Sequence, residues 1–260
     1  MGSPPTEAPD LGSRFLLTEM RGRALHIQID RPERRNAFTL DMYRGFKRAA
    51  VWADGQAEVD AVCLTGTDRW FGAGGDMSGQ AEDPAGLQAE WDPSEQFPFR
   101  HIERCSKAWV AKVNGLCHAG GMDLILHCDV VVASDQARFR VPELLRGIPD
   151  PFMSARLAEV VGLARARYLI FTAEEIGAEE AAVMGLVGKV VPHDQLDDHV
   201  DAVLAAIGRT GPVARATIKR DLNRRLPTHD MDMFTRSLGS PEMTEGLRAF
   251  LEKRPPDWPR

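Results

Sequence analysis

The stretch from Asn114 to Glu143 constrains the fold of this 260-residue chain more than any other. An apolar run, Trp109 to Val113, enters the turn Asn114-Gly115-Leu116-Cys117-His118-Ala119-Gly120-Gly121. An apolar helix opens at about Gly121 and carries Asp123 in its first turn. A second β-branched run, Val130 to Ala133, leads to Phe139-Arg140-Val141-Pro142-Glu143. Strand, glycine turn, helix and strand make a βαβ unit, which favours a parallel sheet. The turn leaves backbone N–H groups free at a helix start, where they hold negative charge. The stretch therefore predicts an anion pocket with two carboxylates, Asp123 and Glu143, beside it.

Composition excludes several alternatives. The net charge of −6 argues against a nucleic-acid surface. Hydrophobic residues at 43% suffice for one large domain with a real core. The four cysteines, Cys63, Cys105, Cys117 and Cys128, form no CxxC pair, so they read as buried reduced thiols of a cytoplasmic protein. No run of 18 apolar residues suggests a membrane span. Residues 1–13, rich in Pro, Gly and acidic side chains, read as a flexible tail rather than a targeting signal.

A second glycine turn repeats the first. The strand-like run Val59 to Thr65 leads into Phe71-Gly72-Ala73-Gly74-Gly75-Asp76-Met77. Before it, Arg14–Met20 and Ala24–Ile29 read as a hairpin, and Arg31–Phe38 as a basic loop. Thr39 is the predicted N-cap of a helix through about Trp52. Residues 78–97 read as a mobile loop over a ligand. A short helix from Phe99 to Cys105 leads to the central unit. After the turn Pro149-Asp150-Pro151, the sequence predicts helices over Met153–Val161, Ala164–Phe171 and Ala178–Met184, then a strand at Val187–Val191. The rest is helical, over Gln195–Gly208, Pro212–Arg225, Asp230–Leu238 and Pro241–Lys253. The domain therefore divides into a core, 14–195, and a helical region, 196–260, whose amphipathic segments need a partner surface.

Two glycine turns at strand ends aim two N–H groups at one point, which describes an oxyanion hole; plain tight turns are the competing reading. Asp123 fits an acid or base, or a partner of the helix dipole. Glu143 follows a proline among apolar residues and is better placed for burial and a raised pKa. Asp150 reads as a helix N-cap. Nothing in the sequence orients a nucleophile beside His118, His127 packs or caps a helix end, and no His/Asp/Glu cluster has metal-ligand spacing.

From Arg14 to Trp258 the chain resembles the crotonase superfamily, the enoyl-CoA hydratase/isomerase family. The resemblance lies in Arg31-Pro32-Glu33-Arg34-Arg35-Asn36-Ala37, Phe71 to Met77, Val113-Asn114-Gly115 with Gly120-Gly121-Met122-Asp123, Cys128-Asp129-Val130, Pro142-Glu143, and Gly246 to Arg254. It implies an α/β spiral of ββα units with a C-terminal helical trimerisation region, assembled as a homotrimer or homohexamer. It implies an acyl-CoA thioester as substrate, with no cofactor beyond that coenzyme A. The thioester oxygen would lie between the N–H groups of Gly75 and Gly120. The loop Arg34, Arg35 and Ala37 would follow the CoA adenine and phosphates. Ala73, Gly74, Asp76, Met77, His118 and Gly121 would line the substrate, and Phe250 and Lys253 would reach a neighbouring subunit's CoA. Glu143 matches the second catalytic glutamate of family hydratases.

Asp123 stands where those hydratases have their first catalytic glutamate. An aspartate there is similar to dienoyl-CoA isomerases, whose further aspartate falls near Asp150. Hydration of a 2-enoyl-CoA through a stabilised enolate is the first expectation. Isomerisation of an enoyl- or dienoyl-CoA by Glu143 with Asp123 or Asp150 is the second, and a hydrolase or C–C lyase the third. A CoA-binding homologue without catalysis is the alternative of a different class.

Overall fold

The computed structural model describes residues 7–77 and 97–259. Of the segment read as a loop over the ligand, 78–96 lies outside the described residues. A hairpin, β1 (Leu16–Arg21) and β2 (Ala24–Ile29), opens the fold, turning at Gly22-Arg23 as its alternating pattern predicts. Helix α1 (Leu40–Asp54) follows, its N-terminus closed by the Thr39 hydroxyl accepting from Met42 N. Its face of Met42, Phe46, Ala49, Ala50 and Ala53 is buried, at the 3- and 4-residue spacing that puts side chains on one stripe.

The core is a spiral. Strands β3 (Ala61–Gly66), β5 (Ala108–Val113) and β7 (Val130–Ser134) lie parallel in a six-stranded sheet ordered β1-β2-β3-β5-β7-β10, where β10 is Lys189–Val191. Each turns a corner into a strand of a second sheet: β3 into β4 (Trp70–Gly72), β5 into β6 (Leu116–His118), β7 into β8 (Arg138–Arg140). That sheet, ordered β4-β6-β8-β9 with β9 at Ile176–Gly177, was not read from the residues. Strands of two or three residues are too short to show alternation. Buried asparagines pin two corners. Asn36 Nδ2 donates to Trp70 O at 2.6 Å, and Asn114 Oδ1 accepts from Gly66 N at 3.1 Å. Helices α2 (Phe99–Arg104) and α3 (Gly120–Leu126) complete the turns. The spiral of ββα units implied by the resemblance is the architecture observed, with Phe38, Phe46, Phe71, Phe99, Trp109 and Phe139 fully buried.

Helices α4 (Pro151–Val161), α5 (Leu163–Thr172) and α6 (Ala178–Met184) precede β10. The C-terminal region then holds α7 (Leu196–Gly208), α8 (Pro212–Asn223), α9 (Met231–Ser237) and α10 (Pro241–Glu252). Of the stretch expected to be a flexible tail, residues 1–6 lie outside the described residues, and residues 7–13 are anchored at Leu11 and Pro9. Leu11 is 1% exposed, its carbonyl accepts from Arg48 Nε at 2.7 Å, and Thr18 Oγ1 donates to Pro9 O at 2.8 Å. One apolar anchor among prolines and glycines outweighs a composition that reads as loose. The cysteines are free thiols, with Cys63, Cys105 and Cys117 buried. Among the described residues no helix is long and apolar enough to cross a membrane.

Candidate active site

The two glycine turns meet. Phe38 N donates to Gly74 O at 2.7 Å, and Asp76 N donates to Phe38 O at 2.8 Å, with Phe38 and Gly75 in a parallel bridge. In that pattern the middle residue turns its own N–H the other way, so Gly75 N–H faces away from Phe38. Gly120 is the first residue of α3, so its N–H has no acceptor within the helix. A Cβ on Gly74 would stand 3.1 Å from Gly120 N and 2.4 Å from Ala119 Cβ, and Gly74 takes φ +94°. Only glycine lets the turns approach this closely. Ala119, which caps α3, holds φ 52° and ψ −126°, a backbone conformation almost confined to glycine. Strain of this kind clusters at functional sites, and here it lies beside the two N–H groups.

Three carboxyls stand near the turns. Asp123 (3% exposed) and Glu143 (6% exposed) are buried, and Asp123 Oδ1 and Glu143 Oε2 have no hydrogen-bond partner. Burial pushes Asp123 well above the ordinary aspartate value, and the charges of Asp150 and Glu143 add to the effect. Burial and then the Asp150 charge push Glu143 up to about 8, against the opposing pull of its own backbone N–H and Arg146. Asp150 caps α4 as the sequence predicts, accepting from Phe152 N at 2.8 Å and Met153 N at 2.9 Å. Its carboxyl neighbours that of Asp123, and each shifts the other's titration. Burial raises its pKa, while the two backbone N–H groups and Asp123 draw it down. Two carboxyls this close together share a proton. The helix N-terminus favours the charge on Asp150, which leaves the proton on Asp123.

Tyr43 joins the site without having been read from the sequence. Its hydroxyl lies 2.4 Å from a Cβ built on Gly120 and 3.7 Å from one built on Gly75. The ring is held edge-on by Phe38 and Phe97, at 5.5 and 5.2 Å. On α1 it falls on the apolar face, where a tyrosine looks like one more core residue. His118, half-buried beside Ala119, stands 3.0 Å from Glu175 Oε2, a pairing the sequence did not show. Burial nevertheless pushes its pKa down to about 4, so at neutral pH it is an uncharged ring.

The other expected contacts are spread more widely. Asp76 is ion-paired with Arg31 at 2.7 Å, which ties the basic loop to the glycine turn. Arg34 and Arg35 are exposed, and Arg35 lies over the Trp70 ring at 5.4 Å. Ala37 accepts from Arg31 through its carbonyl, Ala73 is half-buried, and Gly121 is buried behind the turn. Met77 packs on Ile148, Leu238, Met243 and Leu247. Phe250 and Lys253, at the end of α10, are exposed, with Arg146 over the Phe250 ring at 4.3 Å.

The family model for enoyl-CoA hydratase/isomerase matches residues 19–260. The chain belongs to this family. It is 31% identical to a short-chain-enoyl-CoA hydratase of Clostridium acetobutylicum, over 92% of this chain and 95% of that one. It is 32% identical to a crotonyl-CoA hydratase of Syntrophomonas wolfei, again over 92% and 95%. A crystal structure of an enoyl-CoA hydratase/isomerase from Pseudoalteromonas atlantica superposes with a TM-score of 0.82 at 28% identity, covering 95% of this chain and 100% of that chain. The chain is therefore an enzyme of the enoyl-CoA hydratase/isomerase family.

Proposed function

We propose that the enzyme hydrates a 2-enoyl-CoA at the meeting point of the two glycine turns. The observation that carries this is the placing of two buried carboxyls, Glu143 and Asp123, with the half-buried Asp150 next to Asp123, beside the N–H groups of Gly75 and Gly120. Gly75 and Gly120 hold the thioester oxygen and stabilise the enolate that forms when water adds. Tyr43, its hydroxyl against both glycines, borders that oxygen. The carboxyls divide the proton work because their surroundings differ. Glu143, protonated at neutral pH, delivers a proton to the α-carbon. The Asp123–Asp150 pair carries one negative charge: Asp123 Oδ1 takes the proton from the attacking water as the proton Asp123 already holds passes to the Asp150 carboxylate. Names of the relatives as enoyl-CoA hydratases support this reading.

One observation favours a second reading, isomerisation. The neighbouring Asp123 and Asp150 carboxyls can pass a proton between them without a bound water, and Asp123 is one methylene shorter than a glutamate. A non-catalytic binder fares worse. Burying carboxyls with unpartnered oxygens costs stability, a cost that CoA binding alone does not require.

Mass-resolved turnover of crotonyl-CoA and of a 3,5-dienoyl-CoA, in ordinary and deuterated water, decides between them. Hydration adds the mass of water to crotonyl-CoA. Deuterium uptake or a moved double bond without that mass assigns the isomerase reading, and binding without any change assigns the binder.

Coenzyme A is part of the substrate in this reading. Arg34, Arg35 and Ala37 flank its nucleotide, Ala73 and Met77 the pantetheine and acyl chain, and Phe250 and Lys253 a neighbour's CoA. We propose a trimer or a dimer of trimers. Among the exposed apolar residues, Phe171 on α5 and Val213 on α8 are 71% and 79% exposed, which the assembly would cover. Light scattering should return the mass of three or six chains, and a monomer at micromolar concentration would rule the assembly out.

A further inference from the structure

Behind the active site, Glu103 on α2, His127 at the end of α3 and His229 before α9 converge. Their ligand atoms all lie within 4.8 Å of one another, and this is the one such group of three among the described residues. His127 Nε2 is 3.1 Å from His229 Nε2 and 3.6 Å from Glu103 Oε1. Two donors each about 2.1 Å from a tetrahedral zinc ion lie about 3.4 Å apart. The sequence was expected to hold no such cluster. That expectation rested on local spacing, whereas His127 and His229 are 102 residues apart.

We propose that Glu103, His127 and His229 form a binding site for a divalent transition-metal ion, zinc by its chemistry, which braces the C-terminal region against α3. His127 is prepared as a ligand. Its Nδ1 lies 2.6 Å from the backbone carbonyl of Asp123, and a carbonyl only accepts, so Nδ1 carries the proton and Nε2 presents its lone pair. The ring is fixed by stacking on Phe99 at 4.7 Å. Two imidazole nitrogens and one carboxylate select zinc-like ions over calcium or magnesium, which seek oxygen. Without an ion, His229 Nε2–H donates to His127 Nε2, so metal binding exchanges that bond for two coordinate bonds and the other tautomer of His229.

Arg156 bears on the site directly. Its Nε donates to Glu103 Oε1 at 2.6 Å, and its Nη1 donates to Pro227 O at 2.6 Å. Its charge weakens the hold on a cation. A carboxylate has about four acceptor positions, however, and ligating carboxylates are commonly hydrogen-bonded from behind. Arg156 also fastens the segment before His229, which keeps the third ligand in place.

Titrating untagged protein with Co²⁺ tests this directly. The wild type should take up one ion per chain and develop the intense visible bands of tetrahedral cobalt. His229→Asn should lose those bands, and Glu103→Gln should weaken binding at least about tenfold. Zinc should raise the melting temperature of the wild type and not of His229→Asn. Circular dichroism establishes that each variant is folded, and the wild-type titration needs no variant at all. Absence of saturable uptake by the wild type overturns the proposal, as does a cobalt spectrum unchanged in His229→Asn.

Discussion

Glu143→Gln is expected to lose at least about 10²-fold in kcat while CoA-thioester binding stays nearly constant. Glutamine keeps the shape and removes the transferable proton, so packing at this buried position is preserved. The pH profile gives an independent reading of the same group. With its pKa near 8, Glu143 is protonated below that value and acts as the acid. On the alkaline side the wild-type kcat/KM for hydration should fall roughly tenfold per pH unit above about 8. This limb should vanish from the residual activity of Glu143→Gln. Stability follows the same sign. A carboxyl whose folded pKa lies above its ordinary value of 4.5 binds more protons in the native than in the unfolded state between 4.5 and about 8. Its contribution is full below that window and is lost as pH rises through it. The glutamine variant, with nothing to deprotonate, should therefore be the more stable protein above pH 8. Unchanged turnover would remove Glu143 from the chemistry.

Elements set by local rules were legible in the sequence. Thr39 before an apolar 3-and-4 pattern announces α1, alternation announces the β1–β2 hairpin, and glycines after strands announce both site turns. The features that failed to show depend on long-range contact. Asp123 and Asp150 sit on separate elements and meet only because α4 packs against α3. Asp150 was read as a helix cap, and it is one, but the same geometry turns its carboxyl toward Asp123. Tyr43 is periodic with core residues of α1, so its hydroxyl at the glycine turns leaves no signal. His229 lies in a C-terminal segment whose sequence gives no reason to look 102 residues back for a partner. The second sheet is built from strands too short for periodicity. Its place was supplied by the family resemblance, not by residue patterns.

The sharpest test of the oxyanion geometry lies in treating its two glycines unequally. A Cβ on Gly120 would stand 2.4 Å from the Tyr43 hydroxyl, 3.4 Å from Gly74 Cα and 3.5 Å from Phe38 Cδ2. The tyrosine cannot swing away, because Phe38 and Phe97 grip its ring. The turn itself must move, and the Gly120 N–H moves with it. Loss of one such donor costs about 10²–10³ in kcat, so Gly120→Ala should fall in that range. A Cβ on Gly75 meets only Met77 Cε and the Tyr43 hydroxyl, both at 3.7 Å, an ordinary contact. Gly75→Ala should accordingly keep most of its rate. Tyr43→Phe removes the oxygen that a Gly120 methyl would strike, so combining it with Gly120→Ala should recover part of the loss. A double-mutant cycle measures that coupling. Full recovery would mean that the clash alone was responsible. Partial recovery, with Tyr43→Phe itself slowed, would mean that the hydroxyl also serves the thioester oxygen. Wild-type turnover by Gly120→Ala would place the oxyanion somewhere other than between these turns.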